Sequence, residues 1–465
     1  MRAESLGCYG NKQIKTPNFD SIAAEGTLFE NAYTAHPVCC PSRISMATGW
    51  YPHVAGFRSL QNFIDSNSPS FFRNIRESGI YTCISAKNHC FTEDSLCDNF
   101  NVIVPYTLPN SDPFQNMYSD ESREKYLMLD PPISDEEEQQ SDDRRFIEAG
   151  KSFIRRCAAE NKPFFLYQSL NTPHPTYTTT EEYYHMYENV QIDRRPLSWI
   201  NRKPDFYKLI RKYRKLDQYD DSTFDRIQQV YWGMISYTDS LLGELIDTLK
   251  ECGIYEDTTI IIASDHGDFA GDAGLVEKWP SAMDDMMTKI PLIIRRPGCP
   301  EKQTISSPVQ LFDILPTICD FENIPAKHDH FAVSLRNSVE TGFEDSSRLV
   351  YCEGGYDAFE PQCFEGYQKF QVYQLLNQPG CAYYPKLQQQ QNDTQSVCRT
   401  VMQRDARYKL VIRTDGQGEF YDMELDPKEY NNLFYDPSME ELINNRIQKM
   451  LNWIIHSSDV TSQVL

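Results

Sequence analysis

Apolar positions along this chain follow two periods, and the way the periods alternate predicts the architecture. Residues 16–26 have helical spacing, opened by Thr16 with Pro17 in the first turn and closed by Gly26. Residues 27–33 then alternate as a strand does. A second amphipathic helix, 70–79, leads into the strand 80–85, and helical spacing over 146–159 leads into the apolar strand 163–167. Residues 230–251 carry Met234, Tyr237, Leu241, Leu245 and Leu249 on one side, with Gly253 as the stop. The runs 258–264 and 290–294 are apolar without alternation, the pattern of strands covered on both faces. Helices alternating with such strands predict an α/β domain.

From about residue 347 the pattern changes to that of a smaller α+β unit. Residues 408–413 and 418–422 flank a Thr-Asp-Gly-Gln turn as in a hairpin, and 438–455 is amphipathic enough to cover the resulting sheet. The expected division is therefore a large domain over 1–346 and a smaller one over 347–465. Residues 1–10 read as loop. Residues 102–145 show no clean period and are strongly acidic over 135–143, which predicts a solvated surface insertion. The Tyr-rich, basic stretch 178–225, with Arg194, Arg195, Arg202, Lys203, Arg211, Lys212, Arg214 and Lys215, predicts a solvated helical face rather than an anion site. Gln388 to Gln391 reads as a polar loop.

Composition narrows the function. With 465 residues the chain can bury a large core, and a net charge of -22 makes nucleic acid an unsuitable partner. No run of about 18 apolar residues predicts a membrane span, and the first residues do not form a charged and then apolar leader. As the chain stands this favours a cytoplasmic location. Fourteen cysteines at irregular spacing fit neither a zinc ribbon nor a small disulfide scaffold. Asn392-Asp393-Thr394 is a single glycosylation sequon.

Candidate chemistry concentrates at Cys39-Cys40-Pro41-Ser42-Arg43, continuing to Thr48-Gly49. Pro41 biases Cys40 away from helical geometry, so a helix is expected to begin after it with Cys39 projecting before the first turn. Free amides there and the charge of Arg43 favour an ionised nucleophile and an anionic substrate, whereas an isolated Cys-Cys pair more often packs in a core. Further candidates follow the strands. Lys87 and His89 lie beyond 80–85, His174 lies between prolines beyond 163–167, and Asp265-His266-Gly267-Asp268 follows 258–264. Groups at carboxyl ends of strands in such sheets gather at one site. An adjacent carboxylate and imidazole freed by glycine suit a divalent cation, although turns favour the same residues.

Cys-x-Pro-Ser-Arg, three further residues, a hydrophobic position and Thr-Gly resemble the signature of the type I sulfatases. That resemblance implies an alkaline phosphatase-like α/β fold built on a large mixed sheet, and a sulfuric ester hydrolase in which Cys39 is oxidised to formylglycine. A sulfatase-maturing enzyme that reads Pro41 and Arg43 is then a partner, alongside a sulfate-ester substrate. Gly79, Tyr81 and Thr82 followed by Lys87 and His89 are similar to the family's Gly-Tyr-x-Thr and Lys-Trp-His pattern, with Asn88 in place of Trp and Ala86 in place of Gly. They imply a sulfate-binding lysine and a histidine contacting the aldehyde hydrate. His174 corresponds in kind to an active-site histidine, and Lys278 to a second sulfate-binding lysine. Asp265 and His266, with the modified Cys39, are implied metal ligands, Asp268 less directly. Calcium is the ion implied, with manganese the alternative for a set containing an imidazole.

In the family an apolar strand ending in one or two metal-binding Asp residues comes before an equivalent of Leu6-Gly7-Cys8-Tyr9-Gly10. No such strand precedes it here, which predicts either that Met1 is an internal methionine or that the site has lost a part. Two other functions remain open on these residues: a phosphonate monoester or phosphodiester hydrolase on the same site, and an inactive homologue acting as a binding protein.

Overall fold

The structure, a computed structural model, describes residues 1–105, 126–365, 367 and 377–460. Four sheets organise it. Strands Ile260–Ala263, Leu292–Arg295, Thr27–Phe29 and Gln303–Ile305 form a mixed four-stranded sheet in that order. Strands Val309–Gln310, Ala32–Tyr33 and Lys289–Ile290 continue it as a short three-stranded sheet. Val102–Val104, Tyr81–Ala86 and Phe164–Ser169 form a parallel sheet, with Tyr81 opposite Phe164 and Ala86 opposite Ser169. The last sheet, Val350–Gly354, Thr400–Arg404, Tyr408–Arg413 and Glu419–Asp422, is antiparallel throughout. Trp453 of the final helix, Glu440–His456, stacks on Tyr351 of that sheet.

Helices pack on both sides, as the alternating pattern predicts. One layer buries Phe224, Ile227, Val230, Met234 and Ile246 of the helix Asp221–Glu251 together with Phe19 and Ile22 of Pro17–Ala24. The other buries Ile44 of Cys39–Thr48, Phe71, Phe72 and Ile75 of Phe71–Glu77, and Ile314 and Leu315 of Ile314–Phe321. No described helix is long and apolar enough to cross a membrane, and none of the fourteen cysteines forms a disulfide in the described structure.

Between Phe164–Ser169 and Ile260–Ala263 the hydrogen-bonded sheet is interrupted. Both strands line one cavity of about 870 Å³, closed on either side by Leu245 and Leu249 and by Ile314 and Ile318. Their facing edges carry no described strand. Apolar strands of this composition are normally covered on both faces. Here every residue of Phe164–Ser169 is only half-buried.

Several expectations change where polar side chains are used inside the fold. The stretch 135–143 lies largely at the surface, as expected, but it is helical: it forms the helix Asp135–Gln139 and opens Asp142–Ala159, each capped by a serine. Asp143 is buried, accepting the N–H groups of Asn171 and Thr172. The neighbouring residues 106–125 of that expected insertion lie outside the described residues. Half of the eight basic residues are internal: Arg195, Lys203, Arg211 and Arg214 are buried and each meets a carboxylate, while Arg202, Lys212 and Lys215 are exposed as expected. Gln388 to Gln391 belongs to the helix Tyr384–Asn392, whose Gln389 and Gln390 are buried against backbone partners. Helix 230–251 begins nine residues earlier, at Asp221, because Asp220 caps it by accepting Thr223 N–H.

Candidate active site

The helix Cys39–Thr48 starts at Cys39 itself, with Val38 as the extended residue before it. Pro41 falls within the first turn, where its missing N–H costs no helical bond, so the helix begins earlier than the proline alone suggests. Gly49 closes it in the left-handed conformation. Cys39 is 6 % exposed, and its Sγ lies 3.4 Å from His89 Nδ1.

One helical turn on, Arg43 spans two strand ends. Its Nε donates to Asp265 Oδ2 at 2.8 Å and its Nη1 to Ser169 Oγ at 2.6 Å. Ser169 ends one strand and Asp265 follows the other, so their carboxyl ends lie side by side, bridged by one guanidinium. Ser42 Oγ adds a bond to the carbonyl oxygen of Asp265 at 2.7 Å. Burial opposes a charge on Asp265, yet Arg43, His266 and the Met1 amino group together outweigh it and hold the carboxyl well below the usual carboxylate range.

Gly267 lets this corner form, because a Cβ there would meet the carbonyl oxygen of Met286 at 1.9 Å. His266 Nδ1 donates to Gly267 O at 2.7 Å. Since a carbonyl only accepts, the ring proton is on Nδ1 and Nε2 keeps its lone pair, buried and without a partner. Asp268 turns inward instead: its Oδ1 accepts Tyr177 Oη at 2.6 Å and Ala270 N–H at 2.8 Å. It orders the turn.

Lys87 and His89 stand on the loop after Tyr81–Ala86. Asn88, between them, ties that loop by donating to Phe91 O at 2.8 Å and accepting Phe91 N–H at 3.0 Å. Burial lowers the pKa of Lys87, with Lys278 and Arg43 adding repulsion, and the same burial with Lys87 pushes His89 well below the usual imidazole value. His174 accepts from Lys278 Nζ at 2.8 Å through Nε2. Cys39, Arg43, Lys87, His174, Asp265 and His266 all line the polar end of the 870 Å³ cavity. The sequence candidates thus meet, with His89 against Cys39 and Lys278 against His174.

Sequence reading missed Ser169, Tyr167 and Glu277. Tyr167 Oη is 3.3 Å from Arg43 Nη1. Glu277 carries Lys278 at 3.3 Å and has a left-handed backbone at φ 64°. Its neighbour Lys278 was the available signal. Met1 was also missed: its amino group donates to Ser264 Oγ and His266 O, both at 2.6 Å.

A divalent cation is tested by the donors present. His266 Nε2 has the chemistry of a ligand. Asp265 already gives Oδ2 to Arg43 and Oδ1 to His266 N–H at 3.0 Å. Among the described residues no three His, Cys, Asp or Glu side chains converge as a metal set. Two donors do not fit calcium, which takes six to eight oxygens, nor the four or more ligands of other divalent ions.

Known proteins resemble this chain in sequence and in fold. The family model described as Sulfatase matches residues 1–324. Arylsulfatase K of Danio rerio is 26% identical over 341 residues, covering 68% of this chain and 61% of its own length. The chain therefore spans less than two thirds of that relative. Among solved structures, phosphonate monoester hydrolase of Silicibacter pomeroyi superposes with a TM-score of 0.76 at 20% identity, covering 98% of this chain and 94% of its own. A 2-O GAG sulfatase gives 0.72 at 19% identity, covering 98% and 90%.

Proposed function

The chain belongs to the sulfatase family, with an alkaline phosphatase-like fold, and from that premise we propose that it hydrolyses sulfate esters, sulfated carbohydrates among them, at the cavity wall formed by Cys39. The observation that carries the reading is the bridge from Arg43 to Asp265, which holds the Asp265–His266 corner one helical turn from Cys39. A thiol packed in the core away from that corner would have spoken for the bland alternative.

The family generally uses formylglycine and a divalent metal. Oxidised to formylglycine by a maturing enzyme, position 39 supplies as its hydrate an oxygen nucleophile and a second hydroxyl able to release sulfate. His89, 3.4 Å from the Cys39 sulfur, is the group that would orient those hydroxyls. Lys87 and Lys278 provide positive charge for the non-bridging sulfate oxygens, in a wall where burial strengthens each interaction. Arg43 keeps Asp265 ionised and fixed at the corner beside the site. In the Lys278–His174 pair the lysine carries the proton along the 2.8 Å axis, and it is the donor for the departing alcohol. No step is assigned to a metal, because the described donors are incomplete.

Two measurements test the reading. Peptide mass analysis of protein matured in its host is expected to find an aldehyde at position 39, and that protein is expected to release nitrophenol from 4-nitrophenyl sulfate. Unmodified Cys39 with no turnover would overturn it. Faster cleavage of phenyl phosphonate monoesters would favour the hydrolase whose fold is shared, a likeness that by itself concerns fold alone.

A further inference from the structure

Lys278 is tied to more than the reacting centre. Glu277 Oε1, 3.3 Å from Lys278 Nζ, also takes Lys386 Nζ at 2.9 Å, and Glu277 Oε2 takes Arg214 Nη2 at 3.1 Å. Lys386 in turn meets Glu365 Oε1 at 3.0 Å. Glu277, Lys386 and Arg214 are each buried to within 2 %. The backbone of Glu277 is fixed as well: its N–H donates to Tyr177 Oη at 2.8 Å and its carbonyl accepts Phe269 N–H at 2.9 Å. A non-glycine residue keeps a left-handed conformation only where its surroundings impose it.

Three cations thus compete for two oxygens. A lysine–carboxylate pair left to itself closes to about 2.7–2.9 Å. Lys386 reaches that distance and Lys278 does not. The shorter contact belongs to the lysine outside the site, and the looser one leaves Lys278 directed at His174.

We propose that Lys386, presented by the helix Tyr384–Asn392, is a positioning residue for Lys278: by occupying Glu277 Oε1 it keeps that carboxylate from drawing Lys278 Nζ away from His174. The proposal rests on reading Lys278 as a cation for the sulfate oxygens. It adds a residue far along the chain, beyond the reach of the Cys39 and Asp265 motifs, to the machinery that sets the site. His174 and Glu277 touch Lys278, and Lys87, Cys39, His266, Asp268, Tyr383 and Glu365 also act on it electrostatically.

The test compares full-length Lys386→Met with Lys386→Arg and Lys386→Gln. Its first readout needs no turnover: the titration of His174 by NMR of ¹⁵N-histidine-labelled protein. With Lys278 against Nε2 the wild-type ring stays neutral well below the ordinary histidine range. In Lys386→Met and Lys386→Gln, Lys278 closes on Glu277, and His174 is expected to titrate at distinctly higher pH. Lys386→Arg keeps the wild-type titration. The second readout is kinetic, with 4-nitrophenyl sulfate: a fall in kcat/KM of about a hundredfold for the two neutral variants, the scale of a misplaced group, restored by arginine. An unmoved His174 titration in a folded neutral variant would overturn the proposal, leaving Lys386 as structural only. Should Lys386→Met not fold, Lys386→Gln, which can still donate to Glu365, decides. If the wild type turns over no sulfate ester, the functional reading fails while the His174 titration still decides the positioning role.

Discussion

Lys278 Nζ lies 2.8 Å from His174 Nε2, on the opposite side of the ring from Nδ1, which is 2.6 Å from the carbonyl oxygen of Pro175. The carbonyl fixes the proton on Nδ1, so Nε2 is an acceptor and the lysine is the charged member of the pair. Both observations agree with the direction of their titrations: burial and Lys278 push His174 well below the usual imidazole range, while burial of Lys278 is outweighed by Glu277 together with Tyr383, Cys39 and Glu365, which raise it. Lys278→Met therefore removes both a sulfate-binding charge and the proton donor. The expected loss is about 10²–10³ in kcat for alkyl sulfates, and smaller for 4-nitrophenyl sulfate, whose leaving group needs no proton. Steady-state kinetics on the two esters check it. Equal losses on both would remove Lys278 from leaving-group chemistry.

Arg43 bonds in two directions, from Nε to Asp265 at 2.8 Å and from Nη1 to Ser169 at 2.6 Å and Tyr167 at 3.3 Å. A single ammonium cannot reproduce that fork. Arg43→Lys is expected to lower kcat by about a hundredfold even where mass analysis shows the aldehyde formed at position 39, because Asp265 loses its fixed orientation. Ser169→Ala, which removes one arm alone, should cost about 1 kcal/mol in stability and leave Asp265 in place. Urea unfolding and kinetics on matured protein separate the two. A fully active Arg43→Lys enzyme would show that the Asp265 orientation does not depend on the guanidinium.

The sequence exposed those residues that sit directly beyond apolar strands, because a strand's burial is written in its composition. Asp265, His266 and Lys87 were legible for that reason, and Cys39 through a long motif. Glu277, Ser169 and Lys386 were not. Their roles depend on contacts across 109 residues of chain, in the case of Lys386 with Glu277, or on a strand running two residues further than its apolar run. Polar residues used internally defeated pattern reading in the same way: Gln389, Gln390 and Arg195 look solvated and are buried, since their partners are backbone atoms and carboxylates that no local period reveals.

Acid should unfold the protein through its buried histidines. His36 and His266 are lowered to about 3, chiefly by burial, and His89 and His174 are pushed well below 6.5. In the unfolded chain each binds a proton near 6.5, so between about 6.5 and 3 the unfolded state binds more protons. Stability is then present above pH 6.5 and lost as pH falls, by about 1.4 kcal/mol per pH unit for each histidine that stays neutral. Urea midpoints at pH 7, 6 and 5 should fall steadily. His36→Asn, whose Oδ1 can still accept the Val38 N–H that His36 Nδ1 takes at 3.1 Å, should give a shallower slope. An unchanged slope would mean that His36 is already protonated when folded.

The cavity between Phe164–Ser169 and Ile260–Ala263 makes the last prediction. Two strands whose carboxyl ends meet at Arg43 present edges with no partner strand among the described residues to one apolar space. A void of this size with such a lining is costly, and its backbone groups lack sheet partners. Met1 sits at the polar end, where its amino group reaches Ser264 and His266. An extension ahead of it would start at that end of the gap. Adding six apolar β-branched residues ahead of Met1 is expected to raise Tm by about 5 °C or more, since both edges gain ladder bonds and the apolar walls are covered. The same extension with proline at alternate positions, unable to donate, should give no rise. Thermal unfolding followed by circular dichroism, with an apolar reporter dye to follow the cavity, measures both. Equal Tm values and equal dye binding in the two extended chains would show that the gap does not seat a strand.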